Sequence, residues 1–100
     1  MRVLMEAREE AEAAAQRYEN QQQGLGERFL ESLARALEHV EEQPQLFPLL
    51  ETLKTRREVR RSILRRFPYM VVYEIRPQET LVLAVAHVRR RPNYWRRRLQ

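Results

Sequence analysis

The chain has 100 residues, 43% of them hydrophobic and 33% charged, which is enough apolar content for one core and too much for a disordered tail. It has no Cys and no Asp, which excludes disulfides, thiolate zinc sites, Cys nucleophiles, Asp-based triads and EF-hands, and its net charge is +5. The longest apolar run, Leu81 to Ala86, is far shorter than the ~20 residues of a membrane span, and no apolar leader segment opens the chain. These features predict a single cytoplasmic domain over residues 1–100.

In chain order, Met1–Met5 offers a short strand. From Leu4 to Tyr18, Leu4, Ala7, Ala11, Ala14, Ala15 and Tyr18 recur every three or four residues among Glu, Arg and Gln, the pattern of an amphipathic helix. Its Ala seam lets a neighbouring element approach closely. Asn20 to Gly26 breaks the pattern, with Gly24 as a helix stop. A second helix follows from Glu27 to Glu42, with Phe29, Leu30, Leu33, Ala36, Leu37 and Val40 as its stripe. A short turn between helices of similar length predicts an antiparallel hairpin over about 5–42. Pro44 and Pro48 end it, and Leu46, Phe47, Leu49 and Leu50 are expected to anchor the connection 43–58. Three strands follow, Val59–Phe67, Tyr69–Arg76 and Thr80–Val88, punctuated by Pro68 and Pro77. Their connections are too short for crossovers, so they form an antiparallel meander over 59–88, before a basic tail at 89–100. The fold class is α+β, a helical hairpin packed on one face of a three- to four-stranded antiparallel sheet.

Charge is distributed unevenly. Residues 1–50 carry −5 and residues 51–100 carry +10, and eighteen of the nineteen basic residues are Arg. A merely solubilising surface would use more Lys, whereas Arg suits bidentate recognition of phosphate or carboxylate. A basic face with an anionic partner is therefore favoured over a solvated one. The pairs and triplets Arg56–Arg57, Arg60–Arg61, Arg65–Arg66, Arg89–Arg91 and Arg96–Arg98, with Tyr94 and Trp95 among them, suit either RNA or an acidic peptide.

Strand alternation assigns the faces. Tyr69, Val71, Tyr73 and Ile75 point to the helices, and Met70, Val72, Glu74 and Arg76 point away. In the last strand, Leu81, Leu83 and Val85 are expected on the helix face, and Val82, Ala84, Ala86 and Val88 on the other. A strand apolar on both faces is normally covered on both, and two helices cover only one. The second face is thus either roofed by the C-terminal tail or left as a groove for a partner; its small side chains favour the groove.

Chemistry-bearing residues are few. His87, beside Arg89–Arg91, Tyr94 and Trp95, could serve as general acid or base, against the plainer reading of a hydrogen-bonded histidine at a strand end. His39 reads as a solvated helix residue, Glu58 and Glu74 are the other acid–base candidates near the basic face, and Glu6, Glu9, Glu10 and Glu12 read as helix surface. Two distant His without Cys or Asp make no metal site, and two Gly make no phosphate loop. No cofactor is expected.

Four blocks carry a family resemblance. Gln22-Gln23-Gly24-Leu25-Gly26-Glu27-Arg28-Phe29-Leu30-Glu31, Pro44-Gln45-Leu46-Phe47-Pro48, Val59 to Tyr69, and Leu83 to Pro92 resemble, in order, the RelE/ParE toxins of bacterial type II toxin–antitoxin modules. The resemblance implies a RelE-like fold and a cognate antitoxin of the ParD/RelB type forming a hetero-oligomer with the toxin. It places the antitoxin on Val82, Ala84, Ala86, Val88, Arg61 and Arg65, and the target on Arg89, Arg90, Arg91, Tyr94 and Trp95.

The resemblance also implies two targets. The RelE branch cleaves mRNA on the ribosome by driving attack of a ribose 2′-OH, and the ParE branch poisons DNA gyrase without chemistry of its own. The RelE pattern sets an Arg after the Tyr that opens the middle strand, but Met70 follows Tyr69 here. Gyrase is therefore the favoured target. The alternatives are a ribosome-dependent RNase, for which Arg65, His87, Arg89 and Tyr94 are the catalytic candidates, and a non-toxic binding module. The chain departs from the family at its start, where only Arg2–Leu4 stand for a full first strand, so either that strand is short or an edge strand is missing.

Overall fold

The computed structural model describes residues 1–99. Its elements are β1 (Arg2–Val3), α1 (Met5–Gln21), α2 (Leu25–Glu42), β2 (Glu58–Ile63), β3 (Tyr69–Ile75) and β4 (Thr80–His87), with 3-10 turns at Pro44–Leu46 and Arg96–Arg98. The sheet order is β1-β4-β3-β2. The last three strands form the expected antiparallel meander, and β1 adds a short parallel edge strand to β4. The helical hairpin lies on one face, so the α+β architecture and its RelE-like arrangement are observed. No helix among the described residues is long and apolar enough to cross a membrane.

The hairpin turn is shorter than the sequence break suggests, because α1 continues to Gln21 and α2 starts at Leu25. Glu19 makes this close turn workable. Its carboxylate accepts the backbone N–H groups of Gly24 (3.0 Å) and Gly26 (3.1 Å), so α1 caps the otherwise unsatisfied start of α2. Gly24 has φ +88°, the left-handed conformation that glycine adopts without cost. Gly26 is needed for a different reason: a Cβ there would lie 2.5 Å from the carbonyl oxygen of Ala15. The Ala seam does bring the helices together, with Ala7, Ala11, Ala14 and Ala15 all buried.

The first core lies between hairpin and sheet. Phe29, Leu33, Ala36 and Val40 of α2 meet Tyr69, Val71, Tyr73, Val82 and Val85. Each fully buried large side chain there contributes roughly 1.5–3 kcal/mol. Tyr18, Phe29, Phe67 and Tyr69 form an aromatic group at one end, with ring centroids 5.0–6.1 Å apart. At the other end the Tyr73 hydroxyl donates to the Pro44 carbonyl (2.6 Å), tying the connection to β3.

The alternation in β3 is as expected, but that in β4 is not. Val72 pairs with Ala84 and the next residue, Tyr73, pairs with Val82, so Leu83 is an extra residue bulged out of the ladder. The bulge resets the two-residue period. Leu81 and Leu83, expected on the helix face, lie on the second face with Ala84 and Ala86, while Val82 turns to the helices beside Val85.

Other boundaries shift for local reasons. β2 stops at Ile63 because the chain turns at 64–68, where the Leu64 N–H donates to the Tyr69 carbonyl. Of the expected anchors in the connection, Leu50 is buried and Phe47 packs against the core, whereas Leu46 and Leu49 are exposed. Leu49 bridges Arg60 as a stub of extra strand, and alternation sends Leu49 outward and Leu50 inward.

Candidate functional site

The second face of the sheet is covered by the chain itself. Val72, Leu81, Leu83, Ala84 and Ala86 pack under Leu50, Leu53 and Trp95, with Leu4, Tyr94 and Leu99 at the margin. Trp95 is only 1% exposed. Of the residues expected to form an open groove, Ala84 and Ala86 are therefore buried, Val82 is buried on the opposite face against the helices, and only Val88 is exposed. A sheet face this apolar cannot stay solvated, and the tail supplies the nearest large aromatic surface to close it. Trp95, expected to contact a target, is instead the centre of this roof.

Three attachments hold the tail down. Asn93 Nδ2 donates to the Thr52 carbonyl (2.8 Å), and a guanidinium nitrogen of Arg57 donates to the Leu99 carbonyl. The third attachment centres on Glu10. Its carboxylate accepts the Tyr94 hydroxyl, both terminal nitrogens of Arg98 (2.9 and 3.2 Å) and the backbone N–H of Val85 (3.0 Å). Arg98 also donates to the Leu83 carbonyl (3.0 Å). The geometry explains why this pair lies where it does. β1 covers β4 only at Leu81 and Val82, and the Leu4 N–H donates to Val82. Beyond that point the edge of β4 has no strand partner among the described residues, and the Glu10–Arg98 ion pair takes up the Val85 N–H and the Leu83 carbonyl. A side-chain pair thus completes the sheet edge that a longer first strand would cover.

The same network sets the properties of Tyr94. Burial and the Glu10 hydrogen bond raise its pKa well above the ordinary tyrosine value, so the phenol stays protonated. Arg90 stacks over the Tyr94 ring at 3.8 Å. Sequence reading misses Glu10, placing it on the solvated helix surface. A signal was present: Glu10 lies three residues after Ala7 and four before Ala14, on the flank of the buried seam.

The remaining candidates are dispersed. His87 packs edge-to-face on Tyr69 with centroids 5.1 Å apart, and its Nδ1 accepts the Arg89 backbone N–H (3.0 Å). The Tyr69 hydroxyl accepts a hydrogen bond from Arg17 (2.7 Å), another partner that sequence reading did not assign. His87 thus has the environment of a hydrogen-bonded histidine at a strand end, lining a small cavity of about 120 Å³ with Glu10, Arg17, Tyr69 and Arg90. Arg65 faces a separate cleft on the α2 side, together with Arg28, Arg35 and Arg66. Arg65 and His87 thus line different cavities.

The acid–base candidates of the basic face are occupied as well. Glu58 pairs with Arg60 (2.9 Å). Glu74 accepts from Arg57 (2.6 and 3.0 Å) and Arg76 (2.7 Å). Burial opposes its ionisation, but these hydrogen bonds outweigh it and hold its pKa below the ordinary carboxylate value. Arg61 and Val88, by contrast, line an open hollow of about 230 Å³ with the exposed Ile63, between β2 and the tail.

The family model described as "ParE toxin of type II toxin-antitoxin system, parDE" matches residues 2–92. No curated protein and no solved structure matches the chain. The match runs from β1 through the last strand to the start of the tail, covering the hairpin and meander described above, and the chain belongs to the ParE toxin family of type II toxin–antitoxin systems.

Proposed function

We propose that this toxin is neutralised by a cognate antitoxin and, once free, inhibits DNA gyrase by binding rather than by cleaving RNA. The observation that carries this reading is the ParE family match over residues 2–92. The side chains support it. An RNase of the related branch needs a guanidinium after Tyr69 and an acid–base group free to exchange protons. Met70 holds the first position, and Tyr94 is tied to Glu10 with its proton held in place.

The exposed cations Arg89, Arg91, Arg96 and Arg97 on the outer side of the tail are the surface offered to the target. The hollow of Arg61, Ile63 and Val88 is the surface offered to an antitoxin, because it combines exposed apolar side chains with a basic rim that suits an acidic amphipathic segment.

The test is induction of the protein alone in bacteria with pulse-labelling of DNA and protein synthesis, followed by gyrase supercoiling with the purified protein. DNA synthesis should fail first, supercoiling should be inhibited, and His87→Ala should inhibit as well as the parent. Early failure of translation with mRNA cut on ribosomes would overturn the gyrase reading.

A further inference from the structure

A cleft of about 620 Å³ lies neither at the tail nor at the hollow beside it. It lies between α2 and the 64–68 turn, lined by Arg28, Glu31, Ser32, Arg35, Arg65 and Arg66, with Leu25 and Phe67 as apolar walls. We propose that this cleft is a binding site for phosphoryl groups, and this proposal goes beyond the gyrase reading without depending on it.

Three features carry the proposal. The first is that the cations converge. Arg28 and Arg35 lie two turns apart on one stripe of α2, and the turn opposite brings Arg65 and Arg66 against them. The second is that these cations are uncommitted. Elsewhere Arg2, Arg60, Arg90 and Arg98 each pair with a carboxylate, whereas the exposed tail cations Arg96 and Arg97 form no ion pair among the described residues. Among the described residues, none of the four cleft arginines forms an ion pair, not even with Glu31 in the same cleft.

The third feature is that the turn is held in a costly shape. Arg66 has φ +72°, a left-handed conformation that costs a non-glycine residue roughly 1–2 kcal/mol. The buried Ser32 hydroxyl donates to the Arg65 carbonyl (2.9 Å) and pins the turn to α2. The backbone is therefore locked in a form that delivers two adjacent guanidiniums to the cleft.

The chemistry of the donors selects the ligand class. Each guanidinium presents five N–H donors in a fixed fork. A carboxylate has two oxygens and is satisfied by one bidentate Arg, whereas a terminal phosphoryl group offers three oxygens and about twice the charge, and a phosphodiester backbone offers singly charged groups repeated at close spacing along one chain. Four forks around one cleft match linked phosphates better than the separated carboxylates of an acidic peptide. Among the described residues the cleft offers no free aromatic ring for base stacking, since Phe67 is engaged edge-on with Tyr18 and Phe29, and its contacts are dominated by guanidinium donors suited to phosphate oxygens.

The test uses the full chain and fluorescence anisotropy of a labelled 20-base-pair duplex, with tripolyphosphate and polyglutamate as competitors. Arg35→Gln/Arg65→Gln is compared with Arg96→Gln/Arg97→Gln, which removes the same charge from the tail; all four side chains are exposed, so both variants should fold.

Duplex binding should weaken about tenfold or more in the cleft variant and less than about threefold in the tail variant. The salt slope should fall from about −3.6 to about −1.8, as for four and two phosphate contacts. Tripolyphosphate should displace the duplex where a nucleic-acid backbone is the source; direct binding of tripolyphosphate without duplex binding identifies a small polyphosphate instead and also supports the site. Equal losses in the two variants, no binding of either phosphate probe, or preferential competition by polyglutamate would overturn it, the last by assigning the cleft to an acidic protein.

Discussion

Replacing Glu10 with Ala should release the tail from the sheet. Glu10 and Arg98 are 14% and 17% exposed, so the pair is largely withdrawn from water. Removing one partner of a buried pair costs about 3–5 kcal/mol, and the residual solvent access places this one near the lower end, about 3 kcal/mol. The loss is larger than that of one ion pair because the Val85 N–H and the Tyr94 hydroxyl lose their acceptor as well. For a domain of this length the expected fall in Tm is about 12–24 °C. Glu10→Gln keeps the shape and one acceptor oxygen but not the charge, and should cost about 1–2 kcal/mol.

The single Trp, Trp95, makes the assay specific, because it is buried only while the tail is docked. Urea titrations followed by Trp emission and by far-UV circular dichroism should coincide in the parent. In Glu10→Ala the Trp emission should shift to the red, with increased acrylamide quenching, at urea concentrations where helix content is intact. A loss below about 1 kcal/mol with Trp95 as protected as in the parent would refute the assignment of Glu10 as the tail's anchor.

Gly26→Ala should destabilise by about 1–3 kcal/mol, since the new methyl meets the Ala15 backbone and the helices must part. Gly24→Ala meets nothing and should cost only the left-handed backbone term, about 1 kcal/mol; denaturant midpoints separate the two. The Tyr73 phenol is pushed up to about 12, chiefly by burial, so it should titrate late in an absorbance titration near 295 nm, with the still more strongly held Tyr94 after it. Because the folded pKa of Tyr73 is raised, the stability linked to that proton is intact below pH 10 and lost as pH rises towards 12. Glu74 works in the opposite direction: its folded pKa is depressed, so its contribution is present above about pH 4.5 and lost as pH falls through the lower folded value. Glu74→Gln should flatten the acid limb of the stability profile, and an unchanged limb would show that Glu74 is not linked to folding.

Much of the fold is legible in local pattern. The three-to-four spacing of Ala7, Ala11, Ala14 and Phe29, Leu33, Ala36, Val40 specifies two helices whatever surrounds them. Pro68 and Pro77 set strand limits because proline lacks a ladder donor. The helix-facing set of β3 is correct because no irregularity interrupts its period. The candidate site is far less legible. Arg61 and Val88 do line an open hollow, but Ala84, Ala86 and Trp95 are interior, and the partners of Glu10 and Arg17 lie on elements far away in sequence.

The reason lies in the range of the interactions. Helix periodicity, capping and proline breaks act over a few residues, so the order of elements and the apolar stripes follow from the sequence by itself. The position of the Leu83 bulge depends on how β3 and β4 register against each other, and one extra residue exchanges the faces of everything before it. The covering of the second face depends on Trp95 and Leu81, fourteen positions apart, finding each other in competition with any partner. Glu10 and Arg98 meet across 88 positions at a strand edge that exists only once the sheet has formed. Tertiary structure alone decided these contacts, because the groups that need satisfying, an open sheet edge and an apolar face, are created by folding itself.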